Sequence, residues 1–257
     1  MEEKYGTKWS KEETTLALYL YCQIPFARTK RTEPSVQRLG RIIGRTSSAV
    51  ARKLGNLGAF DERLADQGIS GLSHTSRLDR EVWEQFKGRW EELVEASSHI
   101  LAQLGSGDPI VDDEKSSFSI EFSGATDLNA VVRIRRAQGF FRRAVLASYS
   151  GCCAFCGFDL PELVVAGHIV PWAVREDLRV EPRNGLALCA IHDRAYDRGY
   201  VTVDTDLCLK LSPRLRRSRS KAVDSMLNVL EGRPLLLPSR FLPMPEYLLW
   251  HTENVFR

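Results

Sequence analysis

The sequence predicts an α+β protein built in two parts, an N-terminal helical domain and a C-terminal domain tied by a bound metal. Three observations predict it. Segments with helical hydrophobic period and clear capping signals fill roughly the first hundred residues. An acidic Gly- and Ser-bearing stretch interrupts them, and beyond it two short Cys/His pairs flank a brief apolar run. The chain has 257 residues, 43% hydrophobic and 27% charged, long enough for one large core or two small ones and too apolar for general disorder. No run approaches the ~20 apolar residues of a membrane span, and the start, MEEKYGTKWS, lacks an apolar leader core. A cytoplasmic protein with no membrane partner is the resulting expectation.

The helical elements follow in order. Ser10 and Glu13 form a capping-box pattern ahead of a helix over about 11–22, which Pro25 ends. Pro34-Ser35 starts a second helix carrying Val36, Leu39 and Ile43; Gly44 breaks it, and a cap in Arg45-Thr46-Ser47 opens a third with Ala49, Val50, Leu54 and Leu57. LGRIIGRTSSAVARKLGNL therefore reads as helix, Gly-containing turn, helix, a helix-turn-helix pattern whose second helix would offer Arg45, Ser47, Ser48 and Arg52 to a DNA groove; two ordinarily packed helices fit the pattern equally well. Residues 79–104 predict one amphipathic helix with Val82, Phe86, Trp90, Leu93 and Val94 inward. Domain boundaries are expected at 1–104, a linker at 105–117, and 118–257.

Net charge is only +3, yet the charge is clustered. Residues 28–53 hold eight basic side chains against Glu33 alone, 133–143 hold five arginines, and 210–221 hold four arginines and two lysines. Stretches 79–95 and 108–127 are net acidic. Local basic blocks in a nearly neutral chain suit a polyanion such as double-stranded DNA, the alternative being solvated faces. The block at 28–53 tips the helical pair toward DNA, with Arg41 and Lys53 as phosphate contacts.

Three of the six cysteines fall within five residues, which suits metal better than disulfides in a reducing compartment. Cys153-x-x-Cys156 is followed by Cys189-x-x-His192, two knuckles whose four ligands suit tetrahedral, structural Zn²⁺. A closed set of four leaves that ion no open position, so chemistry must fall to other residues. Cys22, Cys152 and Cys208 read as small buried hydrophobes, and His74, His99 and His251 lack spaced partners. Trp172 and Tyr196 read as packing residues.

Between the knuckles lie VVAGHIVPW, with a short strand leading to His168, and PRNGLALCAIHDRAYDRG. This segment resembles the HNH nuclease family and its ββα-metal finger. SGATDLNAVVRIRRAQGFFRRAVLASY before the knuckle and PEYLLWHTENVF near the end resemble stand-alone restriction-type members, in which a helical segment similar to residues 8–95 precedes the nuclease module. The resemblance implies a zinc-stabilised ββα-metal HNH domain that hydrolyses phosphodiester bonds in DNA in restriction or defence, with or without a requirement for modified bases. It assigns His168 as general base, Asn184 as the residue pinning its loop, and Asp193 as ligand of a catalytic Mg²⁺ or Mn²⁺. Arg135, Gln138 and Arg142 become candidate phosphate contacts, a solvated helix face being the alternative. One departure stands out: many members carry Asp or His before the first His and use it as a second metal ligand, where this chain has Gly167.

Two residues keep two readings each. His192 is preferred as the fourth zinc ligand over a ligand of the hydrolytic metal. Asp197, one turn beyond Asp193, either assists that metal or pairs with Arg194 or Arg198, and the ion pair is preferred. One site per chain and two strands to cut would favour a homodimer. The rival functions are a DNA-binding regulatory protein with a degenerate finger, which Gly167 permits, and a zinc-dependent interaction module.

Overall fold

A computed structural model describes residues 6–69, 71, 75–106, 110–111 and 128–257. The chain divides into two compact units, Met1–Ala144 and Val145–Arg257. The division falls inside a helix rather than at 105–117; most of that expected linker, and all of 118–127, lie outside the described residues.

In the first unit α1 (Lys11–Gln23) is the central rod. Ser10 Oγ accepts from the Glu13 amide at 3.2 Å while the Glu13 carboxylate accepts from the Ser10 amide at 3.0 Å, so the capping box is complete. Every residue from Glu13 to Gln23 is buried, because α2 (Pro34–Ile43), α3 (Ser47–Gly58), α5 (Arg77–Phe86) and α6 (Trp90–Gln103) all pack on it. A short α4 (Glu62–Asp66) follows α3, capped by Asp61. The α2–α3 turn runs through Gly44 at φ 70°, and Thr46 Oγ1 caps α3 by accepting from the Ala49 amide at 3.1 Å.

The single helix expected over 79–104 is two. Gly88, at φ 74°, takes the left-handed conformation that stops α5 and turns the chain into α6. Val82, Phe86, Trp90, Leu93 and Val94 are nonetheless all buried, since their spacing of three or four carries one face across the break. α7 (Leu128–Ser148) joins this core through Phe140, which stacks on Tyr19 at 5.6 Å and on Trp90 at 6.4 Å, and through Arg143, which donates to Gln23 Oε1 at 2.6 Å. Those contacts explain why most of α7 belongs to the first unit. No helix among the described residues is long and apolar enough to cross a membrane.

The second unit is organised on an antiparallel pair, β1 (Val164–His168) and β2 (Gly185–Cys189), followed directly by α8 (Ala190–Asp197). Val164 pairs with Cys189 and His168 with Gly185, so one end of the ladder holds a cysteine and the other the histidine. A second pair, β3 (Val201–Val203) and β4 (Leu209–Leu211), leads to α9 (Lys221–Met226) and α10 (Pro245–Asn254), and α10 packs on β3.

Candidate metal centre and active site

The first knuckle is a tight turn. The Cys153 amide donates to the Phe158 carbonyl and the Gly157 amide to the Cys153 carbonyl, both at 2.9 Å, while the Ala154 amide donates to Ala187 of β2 at 2.7 Å. That last bond brings the turn alongside the strand whose end supplies Cys189. In the first turn of α8, His192 completes the group. Ligand atoms of Cys153, Cys156, Cys189 and His192 all lie within 4.8 Å of one another. His192 Nδ1 is 3.4 Å from Cys153 Sγ and 3.3 Å from Cys189 Sγ. Zinc bonds of about 2.3 Å to sulfur and 2.0 Å to nitrogen require tetrahedral edges of roughly 3.5 Å, so the set fits the ion.

His192 Nε2 donates to the Met226 carbonyl at 2.9 Å, which fixes the tautomer that leaves Nδ1 free to ligate. Without a cation the Cys156 thiolate is penalised. Burial, and after it the neighbouring Cys153 and Cys189, pushes the Cys156 thiol up to about 12; a bound Zn²⁺ inverts that cost. Cys22 is buried as expected, whereas Cys152 and Cys208 are partly exposed, Cys208 bridging to Pro234.

His168 ends β1. Its Nε2 lies 3.1 Å from the Arg179 carbonyl, an acceptor, so Nε2 carries the proton and Nδ1 the lone pair. Burial holds its pKa below the ordinary histidine value, so the ring is neutral at pH 7. Asn184, fully buried just before β2, closes the long connection between the strands. Its Oδ1 accepts from the Val170 amide at 2.8 Å, its Nδ2 donates to the Val170 carbonyl at 2.9 Å, and its own carbonyl accepts from the Ile169 amide at 2.9 Å. It therefore ties down the two residues that follow His168.

Asp193 sits in the first turn of α8, and its carboxylate lies against Gly167 of β1: a Cβ placed there would be 2.7 Å from Asp193 Oδ1. Burial, and next the charge of Asp197, raises the Asp193 pKa to about 6, with Arg194 opposing. A half-buried carboxyl with no hydrogen-bond or ion-pair partner among the described residues is suited to a hard divalent cation, which would displace its proton. Asp197 is exposed, its own pKa raised by burial against the lowering influence of Arg194 and Arg198.

The N-terminal candidates do not share one fate. Ser48 and Arg52 are exposed on α3 and Ser47 is half-buried, as a presented helix requires. Arg45 is buried: its guanidinium donates to Glu13 at 2.7 and 2.9 Å and to the carbonyls of Thr7 and Lys8, with Trp9 stacked 4.6 Å away. Lys53 is likewise buried in an ion pair with Asp79, under the same Trp9 ring. Both were expected at DNA; both are instead core cations, because Glu13 and Asp79 supply buried charges that must be neutralised. Arg41 is exposed. On α7 Arg135 is exposed and Gln138 and Arg142 half-buried, all within the first unit. In the second unit Arg214, Arg217, Arg219 and Lys221 are exposed.

Sequence reasoning passed over three features. Met226 acts through its backbone carbonyl, which no side-chain pattern reveals. His251, which the sequence leaves as a surface or satisfied core histidine, is a core one whose partners the sequence does not show: it stacks on Tyr196 at 3.6 Å and bonds Thr202 Oγ1 at 2.9 Å and the Tyr196 carbonyl at 3.2 Å. The contact of Gly167 with Asp193 is the third. His99 is exposed, and His74 lies outside the described residues.

Residues 153–204 match the family model of the HNH endonucleases, and the matched span contains both knuckles, β1, β2, α8 and β3. No curated protein matches the chain significantly.

Proposed function

From an HNH endonuclease domain at residues 153–204, we propose that this chain is a metal-dependent endonuclease that hydrolyses phosphodiester bonds in double-stranded DNA, acting in a cytoplasmic restriction or defence system. The observation that carries the reading is one arrangement: a neutral His168 whose Nε2 is held by the Arg179 carbonyl, its loop tied by Asn184, and a half-buried Asp193 on the helix that also supplies a zinc ligand. Cys153, Cys156, Cys189 and His192 would hold Zn²⁺ and keep β2, α8 and the knuckle together. Asp193 would hold Mg²⁺ or Mn²⁺, an ion that supplies charge neutralisation for the phosphorane and the leaving oxygen.

The remaining steps fall to the protein's own groups. His168 Nδ1 takes a proton from water as that water attacks phosphorus; the Arg179 carbonyl then stabilises the imidazolium through Nε2–H. Exposed arginines at 214, 217 and 219 and Lys221 supply a basic surface for the phosphate backbone on the same unit. On the first unit, Arg41, Ser48 and Arg52 of the α2–α3 pair and Arg135 of α7 remain candidate DNA contacts, as do the half-buried Ser47, Gln138 and Arg142.

The test is incubation of the full chain with supercoiled plasmid, unmodified and base-modified, under Mg²⁺ and Mn²⁺. Nicking or linearisation is expected, lost in His168→Ala and Asp193→Ala while DNA binding persists. Binding without cleavage on every substrate would favour a regulatory protein with a degenerate finger. No DNA affinity at low salt would favour an interaction module. Sedimentation of the DNA complex would show whether two chains act together.

A further inference from the structure

We propose that Gly167 is a positioning residue for Asp193: the missing side chain at 167 leaves the space in which the Asp193 carboxylate lies, so this chain gathers its hydrolytic cation with an acid from α8 alone where a β1 side chain would exclude it. The inference rests on the nuclease reading above and concerns the same site.

Gly167 pairs with Leu186 in the middle of a regular antiparallel ladder, and its φ is not in the left-handed region. Nothing in the backbone therefore demands glycine. The demand is steric, because a Cβ at this position would meet Asp193 Oδ1 at 2.7 Å, closer than any Cβ contact tolerates, whereas its next neighbour, the Leu186 carbonyl, is a comfortable 3.9 Å away. A clash with the tip of a long side chain is relieved by a rotation. Asp193 is short, with only χ1 and χ2 to turn, and its Cα is fixed in the first turn of α8 next to His192, which is anchored to the Met226 carbonyl and to the cysteine group. A methyl group at 167 must push the carboxylate off the strand.

The pair accounts for the departure at 167 without loss of the site. A Cβ on β1 and the observed Asp193 rotamer compete for one volume, so a side chain at 167 must displace that carboxylate before it can add a ligand.

The experiment is a Mn²⁺ titration of the zinc-loaded full chain, reading free Mn²⁺ by electron paramagnetic resonance, on wild type, Gly167→Ala, Asp193→Ala and the double variant. Zinc content and the thermal unfolding midpoint are measured alongside, since alanine suits a strand at least as well as glycine. Gly167→Ala is expected to keep its zinc and weaken Mn²⁺ binding at least tenfold, approaching Asp193→Ala, and to add less than twofold in the Asp193→Ala background. Gly167→Asp is expected to bind Mn²⁺ no more tightly than wild type. Unchanged Mn²⁺ affinity in Gly167→Ala, or an equal loss with and without Asp193, overturns the proposal while leaving the nuclease reading intact. A wild-type chain that holds zinc but takes up no Mn²⁺ overturns both.

Discussion

Asn184 and Val170 exchange two hydrogen bonds across fourteen residues, side-chain amide to backbone amide and carbonyl, in a fully buried setting. That reciprocal pair makes the connection between β1 and β2 a closed loop with fixed ends. The Leu178 carbonyl lies 3.5 Å from the same Nδ2, and the next residue, Arg179, presents the carbonyl that orients His168. A single amide thus fixes the loop whose carbonyl orients the imidazole.

Replacing Asn184 by Ala leaves the Val170 amide and carbonyl buried without partners, at a cost of about 2–3 kcal/mol in stability. If His168 is the base, as proposed, cleavage should fall about a hundredfold or more, because a small displacement of a base carries a cost of that order. Asn184→Asp should not rescue: it keeps an acceptor for the Val170 amide and loses the donor for the Val170 carbonyl. Thermal unfolding and a plasmid-nicking time course on both variants check this. Full activity in Asn184→Asp would contradict it.

The zinc assignment makes a prediction about thiols. With the ion bound, only the partly exposed Cys152 and Cys208 should react rapidly with a thiol reagent. Chelation should add Cys156 and then Cys189 as the second unit loses structure, because the Cys153–Cys156 turn is no longer tied to β2 and α8. Metal analysis should find about one zinc per chain, and Cys156→Ser should lose both zinc and fold. A folded, active, zinc-free variant is the opposing outcome.

What was legible in the sequence is what local rules and spacing control. The α1 capping box, the Gly44 turn and the two knuckles are all short-range patterns, and each stands where the pattern puts it. The fates of Arg45 and Lys53 were not legible, since a basic residue on a helix looks the same whether it faces DNA or a buried carboxylate. Glu13 was read as half of a capping box, and it is also the counter-ion of Arg45; the second role depends on a contact 32 residues away. The break at Gly88 was hidden because the apolar spacing continues through it. Gly167 read as a missing ligand from sequence, and only the position of α8 shows what occupies its place.

His251 should make the second unit acid-sensitive. Burial holds its pKa near 4 in the folded chain, against about 6.5 when unfolded. Above pH 6.5 both states carry the neutral ring and the group contributes no pH dependence. As pH falls from 6.5 toward 4 the unfolded chain takes up a proton that the folded chain refuses, so stability drops by an amount of order 3 kcal/mol. Chemical denaturation of zinc-loaded wild type and His251→Gln at pH 7.5 and pH 4.5 isolates the effect. The variant should be less stable at pH 7.5 and should lose less stability on acidification.

Arg45 and Arg52 are seven residues apart, and their replacement should have opposite signatures. Arg45→Ala removes the guanidinium that pairs with the buried Glu13 carboxylate, and loses the stacking on Trp9, so a destabilisation of about 3–5 kcal/mol is expected. Any fall in DNA affinity should then track the unfolded fraction and disappear under conditions where the variant is folded. Arg52 is exposed on α3, and Arg52→Ala should leave the unfolding midpoint within a degree or two. If α3 meets DNA, Arg52→Ala weakens binding at every temperature. Its salt dependence then separates two roles: a phosphate contact flattens the log-log slope by about 0.9, while a base contact shifts sequence preference and leaves the slope nearly unchanged. Binding by Arg52→Ala that is indistinguishable from wild type at low salt, together with the same result for Ser48→Ala, would remove α3 from the DNA interface and leave the helical pair as packing alone.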